Sequence, residues 1–121
     1  MTVGVAAASA NTFVDAVAGS SYLQFYVGDP GSAGTSNEAG STTRIALTMP
    51  SASGGSSTQT GTASLASWAG GSQTLSHFGL WSASSGGTFR GSGAFSSARA
   101  VLNGDTLNVS GIVVSVTPIA A

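Results

Sequence analysis

Gln73-Thr-Leu-Ser-His-Phe-Gly-Leu-Trp-Ser-Ala83 is the stretch on which the fold turns. Leu75, His77, Gly79 and Trp81 alternate with Phe78 and Leu80. A period of two residues puts the first set on one face of a strand and the second on the other. Apolar groups on both faces mark a central strand. Ser84-Ser-Gly-Gly87 then supplies a hairpin connection, and Thr88–Phe95 returns beside it. In the return strand Phe89 and Phe95 share a face, and Gly91 and Gly93 between them leave room for rings from a facing layer.

The same reading extends outward. Upstream, Tyr22–Val27 is an aromatic strand that stops at Gly28-Asp-Pro-Gly31, a strong turn signal. Residues 31–42 form a polar surface loop. Thr43–Met49 alternates, with Thr43, Ile45, Leu47 and Met49 on one side, and ends at Pro50. Ser51–Ser57 reads as a Gly/Ser loop, and Thr60–Trp68 as a weak strand closed by Gly70-Gly71. Downstream, Asn103-Gly-Asp105 is a tight turn into a last strand, Thr106–Thr117. Its apolar positions are Leu107 and Val109, then Ile112, Val114 and Val116. The parity flips at Ser110-Gly111, which predicts a bulge or kink in an otherwise continuous strand.

Ahead of the strands the period changes. Ala6, Ala10, Phe13 and Val17, with Val14 beside them, make one helical stripe within residues 3–18. Thr2 is the expected N-cap and Gly19 the expected left-handed C-terminal cap. A helix this short is marginal alone, so it must dock on its own core or on a neighbouring subunit. The expected architecture is mainly β: a single β-sandwich with Greek-key or jelly-roll-like connections and a short N-terminal helix. It forms one domain over residues 1–121, with the helix in 1–19 and the sandwich in 20–121. The segments show no internal repeat, which disfavours a β-helix or a repetitive shaft.

Composition narrows the function. Only Arg44, Arg90, Arg99, Asp15, Asp29, Glu38 and Asp105 are charged, 6% of 121 residues, and the net charge is -1. Ordinary domains carry about 25% and use charge to stay apart in solution. A surface of Ser, Thr, Gly and Ala suits a protein packed in a fixed assembly. Cysteine is absent, which removes disulfides and thiolate chemistry. No signal peptide is expected, and no stretch approaches the roughly 20 apolar residues of a membrane span. Three dispersed arginines and no lysine argue against nucleic acid as a partner.

Catalytic chemistry is equally sparse. His77 is the single histidine, and a triad would need it bonded to a serine and to Asp15, Asp29 or Asp105. The simpler expectation is that it packs against Trp81 and bonds a backbone carbonyl. Asp29 and Glu38 lie in one loop and have the donors for a shared calcium, against an Asx-turn at Asp29. No catalytic residue, metal or cofactor is expected.

Three passages carry a resemblance. They are Gly28-Asp-Pro-Gly-Ser-Ala-Gly-Thr-Ser-Asn-Glu38 with Thr42-Thr-Arg44; Ser76-His-Phe-Gly-Leu-Trp-Ser-Ala-Ser-Ser-Gly-Gly-Thr-Phe89 with Gly93-Ala-Phe95; and Asn103-Gly-Asp-Thr-Leu107 with Thr117-Pro-Ile-Ala-Ala121. Together they resemble a family of small virion proteins of tailed bacteriophages, especially those of actinobacteria, known as minor capsid, head decoration or tail-fibre-like proteins. Members usually carry Asp where Ser82 stands, a departure expected to cost a turn-capping group. The resemblance implies a structural virion protein that decorates or cements the outer surface of a phage head. Its implied partner is the major capsid protein lattice, and the habit of decoration proteins suggests homo-trimers. The alternative is a tail-fibre-like or tail-tip module with a host-surface glycan as ligand, for which Trp68 beside Gly70-Gly71 is the aromatic candidate. Phe13 and Val17 on the helix, and Asp29, Pro30, Asn37 and Glu38 in the loop, are the candidate subunit contacts, because a self-contained sandwich explains those two segments least.

Overall fold

The computed structural model describes residues 6–19 and 21–115. Among them, helix α1 (Ala7–Ala18) precedes β1 (Tyr22–Tyr26), β2 (Ile45–Ala46), β3 (Ser56–Thr58), β4 (Thr62–Leu65), β5 (Gln73–Trp81), β6 (Phe89–Val101), β7 (Leu107–Ser110) and β8 (Val113–Ser115). The main sheet has the order β2-β1-β5-β6, and every pairing in it is antiparallel. β5 is its central strand, bonded to β1 on one side and β6 on the other. Two ribbons, β3–β8 and β4–β7, cover one face of that sheet. Leu23, Phe25, Leu75, Leu80 and Val101 meet Leu107, Val109 and Ile112 between the layers. The fold is mainly β and sandwich-like, with one short helix in front.

Two slips in the β5–β6 ladder reassign side chains to faces. Leu75 pairs with Arg99 but His77 pairs with Ala94, so the single residue Ser76 stands opposite residues 95–98. The irregularity sends Leu75 into the core with Leu80, away from the outer face of His77, Gly79 and Trp81. Leu80 pairs with Gly91 and Trp81 with Phe89, which leaves Arg90 as an extra residue. Phe89 therefore stacks on Trp81 outside, ring centroids 5.3 Å apart, while Phe95 packs inside on Phe78 and Phe25 at 5.2 and 6.0 Å. Phe89 and Phe95 do not share a face. An added residue turns over everything beyond it, and neither slip has a glycine at its centre to announce it.

The parity flip at Ser110-Gly111 is present and larger than a bulge. Gly111 takes φ +71°, and the strand breaks there, β7 pairing with β4 and β8 with β3. Val116 lies outside the described residues. Gln59, 6% exposed, seals the break from inside. Its Nε2 donates to the Val109 carbonyl at 2.8 Å, its Oε1 accepts from the Ile112 N–H at 3.4 Å, and its own N–H donates to the Ile112 carbonyl at 2.7 Å. Strand β3 was expected to be loop, because Ser56-Ser-Thr58 has no apolar period to show.

Helix α1 docks on its own chain. Ala10, Val14 and Ala18 are its buried stripe; Val17 packs half-buried against the core, and Phe13 is 60% exposed. Asn11 Oδ1 accepts from the Gly55 N–H at 2.7 Å, and Asp15 Oδ1 from the Ala52 N–H at 2.8 Å, tying the helix to the loop before β3. Thr2 lies outside the described residues, and Ala6 occupies the N-cap position without a side-chain bond. Gly19 is extended (φ −63°, ψ 127°) and not left-handed. It is glycine because a Cβ there would sit 2.7 Å from the Asp15 carbonyl oxygen. Arg90 Nη1 donates to the Gly19 carbonyl.

Candidate functional site

The outer face of the main sheet carries the densest gathering of polar and aromatic side chains, and the segment between β1 and β2 folds back over it. The Val27 N–H donates to the Asn37 carbonyl at 2.9 Å, and Tyr26 bridges to Glu38, so residues 28–36 form a closed excursion. Asp29 Oδ1 accepts from the Gly31 N–H at 2.9 Å, which is the Asx-turn geometry. Asn37 adopts φ 53°, a left-handed conformation that Asn tolerates, and its Nδ2 donates to the Asp29 carbonyl at 2.9 Å.

The excursion is anchored from below. Tyr26, fully buried, donates its hydroxyl proton to the Gly34 carbonyl at 2.7 Å and accepts from Trp81 Nε1 at 3.1 Å. The guanidinium of Arg44 lies 4.0 Å from the Trp81 ring centroid, a cation–π contact. Its Nη1 donates to the carbonyls of Ala83 and Gly86 at 2.8 and 2.7 Å, gripping the β5–β6 hairpin. Its Nε donates to Gln24 Oε1 at 3.1 Å, and Gln24 Nε2 donates to Glu38 Oε2 at 3.0 Å. Burial pushes the Tyr26 phenol above its ordinary value; the Trp81 hydrogen bond opposes that rise, Glu38 adds to it, and Arg44 opposes it. Among the described residues, no buried side-chain polar atom lacks a partner. The network ties two loops to the sheet.

The residues considered for chemistry are spread apart. His77 pairs with Tyr26 across β5–β1, and its Nδ1 lies 2.8 Å from Ser76 Oγ, where a backbone carbonyl was expected. Asp15 binds Ala52, Asp29 binds Gly31, and Asp105 Oδ2 accepts from the Leu102 N–H at 2.9 Å. Each aspartate thus closes a turn or dock. Asp29 and Glu38 serve different partners, and no group of three metal-ligating side chains occurs among the described residues. Arg99 donates to the Thr106 carbonyl at 3.2 Å, so all three arginines grip backbone carbonyls.

Trp68, the candidate glycan contact, does not present its ring at the surface. It is 1% exposed, packed edge-on to Phe25 at 6.2 Å, and its Nε1 donates to the Gly71 carbonyl at 2.8 Å. Its backbone pairs with Asp105 and Gly104, locking the 103–105 turn to the end of the sandwich. A lone Trp beside two glycines suggested exposure; the glycines instead let the backbone close over the ring, since a Cβ on Gly70 would sit 2.5 Å from it.

The network joins the first two motif passages, Gly28–Glu38 with Arg44 and Ser76–Phe89, and the Trp68 lock uses the third. Residues 6–117 match the family described as podophage GP4 fiber I protein gp80. The chain belongs to this family. No curated protein matches it. Membership makes it a structural protein of a phage virion, and in this chain the recognisable residues are spent on holding the fold.

The candidate subunit contacts therefore divide. Asp29, Asn37 and Glu38 are exposed on the excursion, while Pro30 is buried beneath it. Phe13 is exposed, and Val17 faces its own core. Both segments also make bonds within the chain. Ser82 keeps the turn cap that the absent Asp was expected to cost, its Oγ accepting from the Thr88 N–H at 2.7 Å. Sequence reasoning missed the Arg44–Trp81 and Gln24–Glu38 contacts, because no spacing rule pairs residues 37 or 14 positions apart.

Proposed function

We propose that this chain is a structural module of a phage tail fibre, present in several copies and working by assembly and not by catalysis. The observation that carries this reading is the family match over residues 6–117 to a podophage fiber protein. The charge-poor surface agrees with a protein held in a permanent assembly. The commitment of its aspartates and arginines to turns and loops supports a structural role. The family description favours the fibre over decoration of the phage head, which was the first expectation from sequence; contact with the major capsid protein belongs to that rival. Trp68, the aromatic candidate for glycan contact, is buried and gives that alternative no support.

Gold-labelled antibody against the chain, applied to intact particles, separates the readings. Label on fibres or the tail, at a few to a dozen or so copies per particle, is the expected result. Label spread over the head surface at hundreds of copies overturns the fibre reading and restores decoration.

A further inference from the structure

β6 is the longest strand, with 13 residues, and it stands at the edge of the main sheet. Among the described residues no strand pairs with its outer side. Natural proteins guard such edges with Lys, Pro, inward charges or a covering segment. From Gly91 to Ala100 this one reads Gly-Ser-Gly-Ala-Phe-Ser-Ser-Ala-Arg-Ala, with a single charge that is tied to the Thr106 carbonyl. Apart from the irregularities at Arg90 and at residues 95–98, no Lys or Pro guards this stretch.

The layers do not close beneath it. Three adjoining hollows of about 140, 290 and 290 Å³ run between β6 and the β7–β8 side. Phe95 lines the first and third, and Phe78 the second and third, so the hollows form one groove. Val113, 53% exposed, stands on the opposite wall. An unpaired backbone edge above an apolar groove is the arrangement that accepts an added strand, with main-chain bonds along the edge and alternate side chains in the groove.

We propose that the β6 edge and its groove are the surface on which a second copy of this chain docks, laying an extended strand along β6. The proposal deepens the fibre reading and takes the partner's identity from it. Three observations favour a second copy. A fibre brings identical chains together. Among the described residues each copy has further edges without a partner strand, at β2 and β8 among others. The strip is also almost chargeless, so an equally neutral copy covers it without burying unpaired charge. Size agrees as well. Because of its two irregularities β6 runs only the length of the nine-residue β5, about 30 Å at about 3.3 Å per residue, and two layers about 10 Å thick make the side about 20 Å wide. The strip is then on the order of 600 Å² per partner, at the lower end of the range for a specific interface.

Sedimentation of the full chain over a wide concentration range tests this. The natural sequence is expected to associate, and Ala94→Lys with Ser96→Lys, both exposed on β6, to weaken association at least tenfold with an unchanged melting temperature. Ser84→Lys with Ser85→Lys adds the same charge at the hairpin tip and is expected to change nothing. Natural chain that stays monomeric, a β6 pair that associates normally, or a tip pair that dissociates equally each overturns the proposal. So does a chain ending at Ser115 that loses association while the β6 pair keeps it. The fibre reading fails separately: chains that associate through β6 yet label phage heads defeat that reading alone, and monomers that label fibres defeat only the docking surface.

Discussion

Gly34 is the residue at which the loop network tolerates least change. Its φ of +73° is open to glycine and strained for other residues, and a Cβ there would lie 2.4 Å from the Phe89 ring and 2.8 Å from Trp81. Gly34→Ala combines left-handed strain with overpacking, and is expected to cost about 2–4 kcal/mol, read as a lowered urea midpoint. A loss below about 0.5 kcal/mol would show that the excursion is not clamped on the rings. The same clamp gives Tyr26 a pH signature. Its phenol is raised in the fold above the ordinary 10.0, so the folded chain holds that proton more tightly than the unfolded chain. The stabilisation is complete below about pH 10 and is lost as pH rises through the folded value. Melting temperature is expected to fall as pH rises above about 10, and Tyr26→Phe to start lower but fall less steeply. Parallel curves for the two proteins would remove Tyr26 as the cause.

At the scale of elements, the break between β7 and β8 depends on one buried amide. Gln59→Met keeps the volume but leaves the Val109 carbonyl and the Ile112 N–H without their side-chain partner, and is expected to cost about 1–3 kcal/mol with an unchanged denaturant slope. A neutral result would mean that β7 and β8 hold their separate ribbons unaided. This break was visible in the sequence because Leu107, Val109, Ile112 and Val114 are large enough to show a parity change and Gly111 marks its place. The slips at Ser76 and Arg90 were hidden, since Ser, Ala and Arg side chains on β6 show no alternation. β6 was likewise read only to Phe95, although pairing continues to Val101. The helix was legible from its period, yet its buried stripe runs through Ala10, Val14 and Ala18, because the two anchors Asn11 and Asp15 set its rotation. Of the candidate site, the motif passages were legible and their convergence was not. Arg44 reaches Trp81, Ala83 and Gly86 only once the order β2-β1-β5 brings those strands together.

For the whole molecule, seven charges in 121 residues decide how assembly must respond to solution conditions. Asp15, Asp29, Asp105, Arg44, Arg90 and Arg99 all bond within the chain, and Glu38 accepts from Gln24. Little charge is left to steer or bind a partner, so in the proposed assembly contacts between copies would rest on apolar burial and backbone hydrogen bonds. Those contributions are nearly blind to ionic strength, whereas exposed ion pairs are screened within a Debye length of about 10 Å at 0.1 M salt. Raising sodium chloride from 50 to 500 mM is therefore expected to change the self-association constant by less than about threefold, measured by sedimentation on the full chain. Ammonium sulfate, which strengthens effective apolar burial, is expected to tighten it. A tenfold weakening in sodium chloride would instead assign the contact to Asp29 and Glu38 on the excursion, the exposed acidic pair nearest to free. The neutral surface would then be a consequence of life in the particle and not the means by which its copies join.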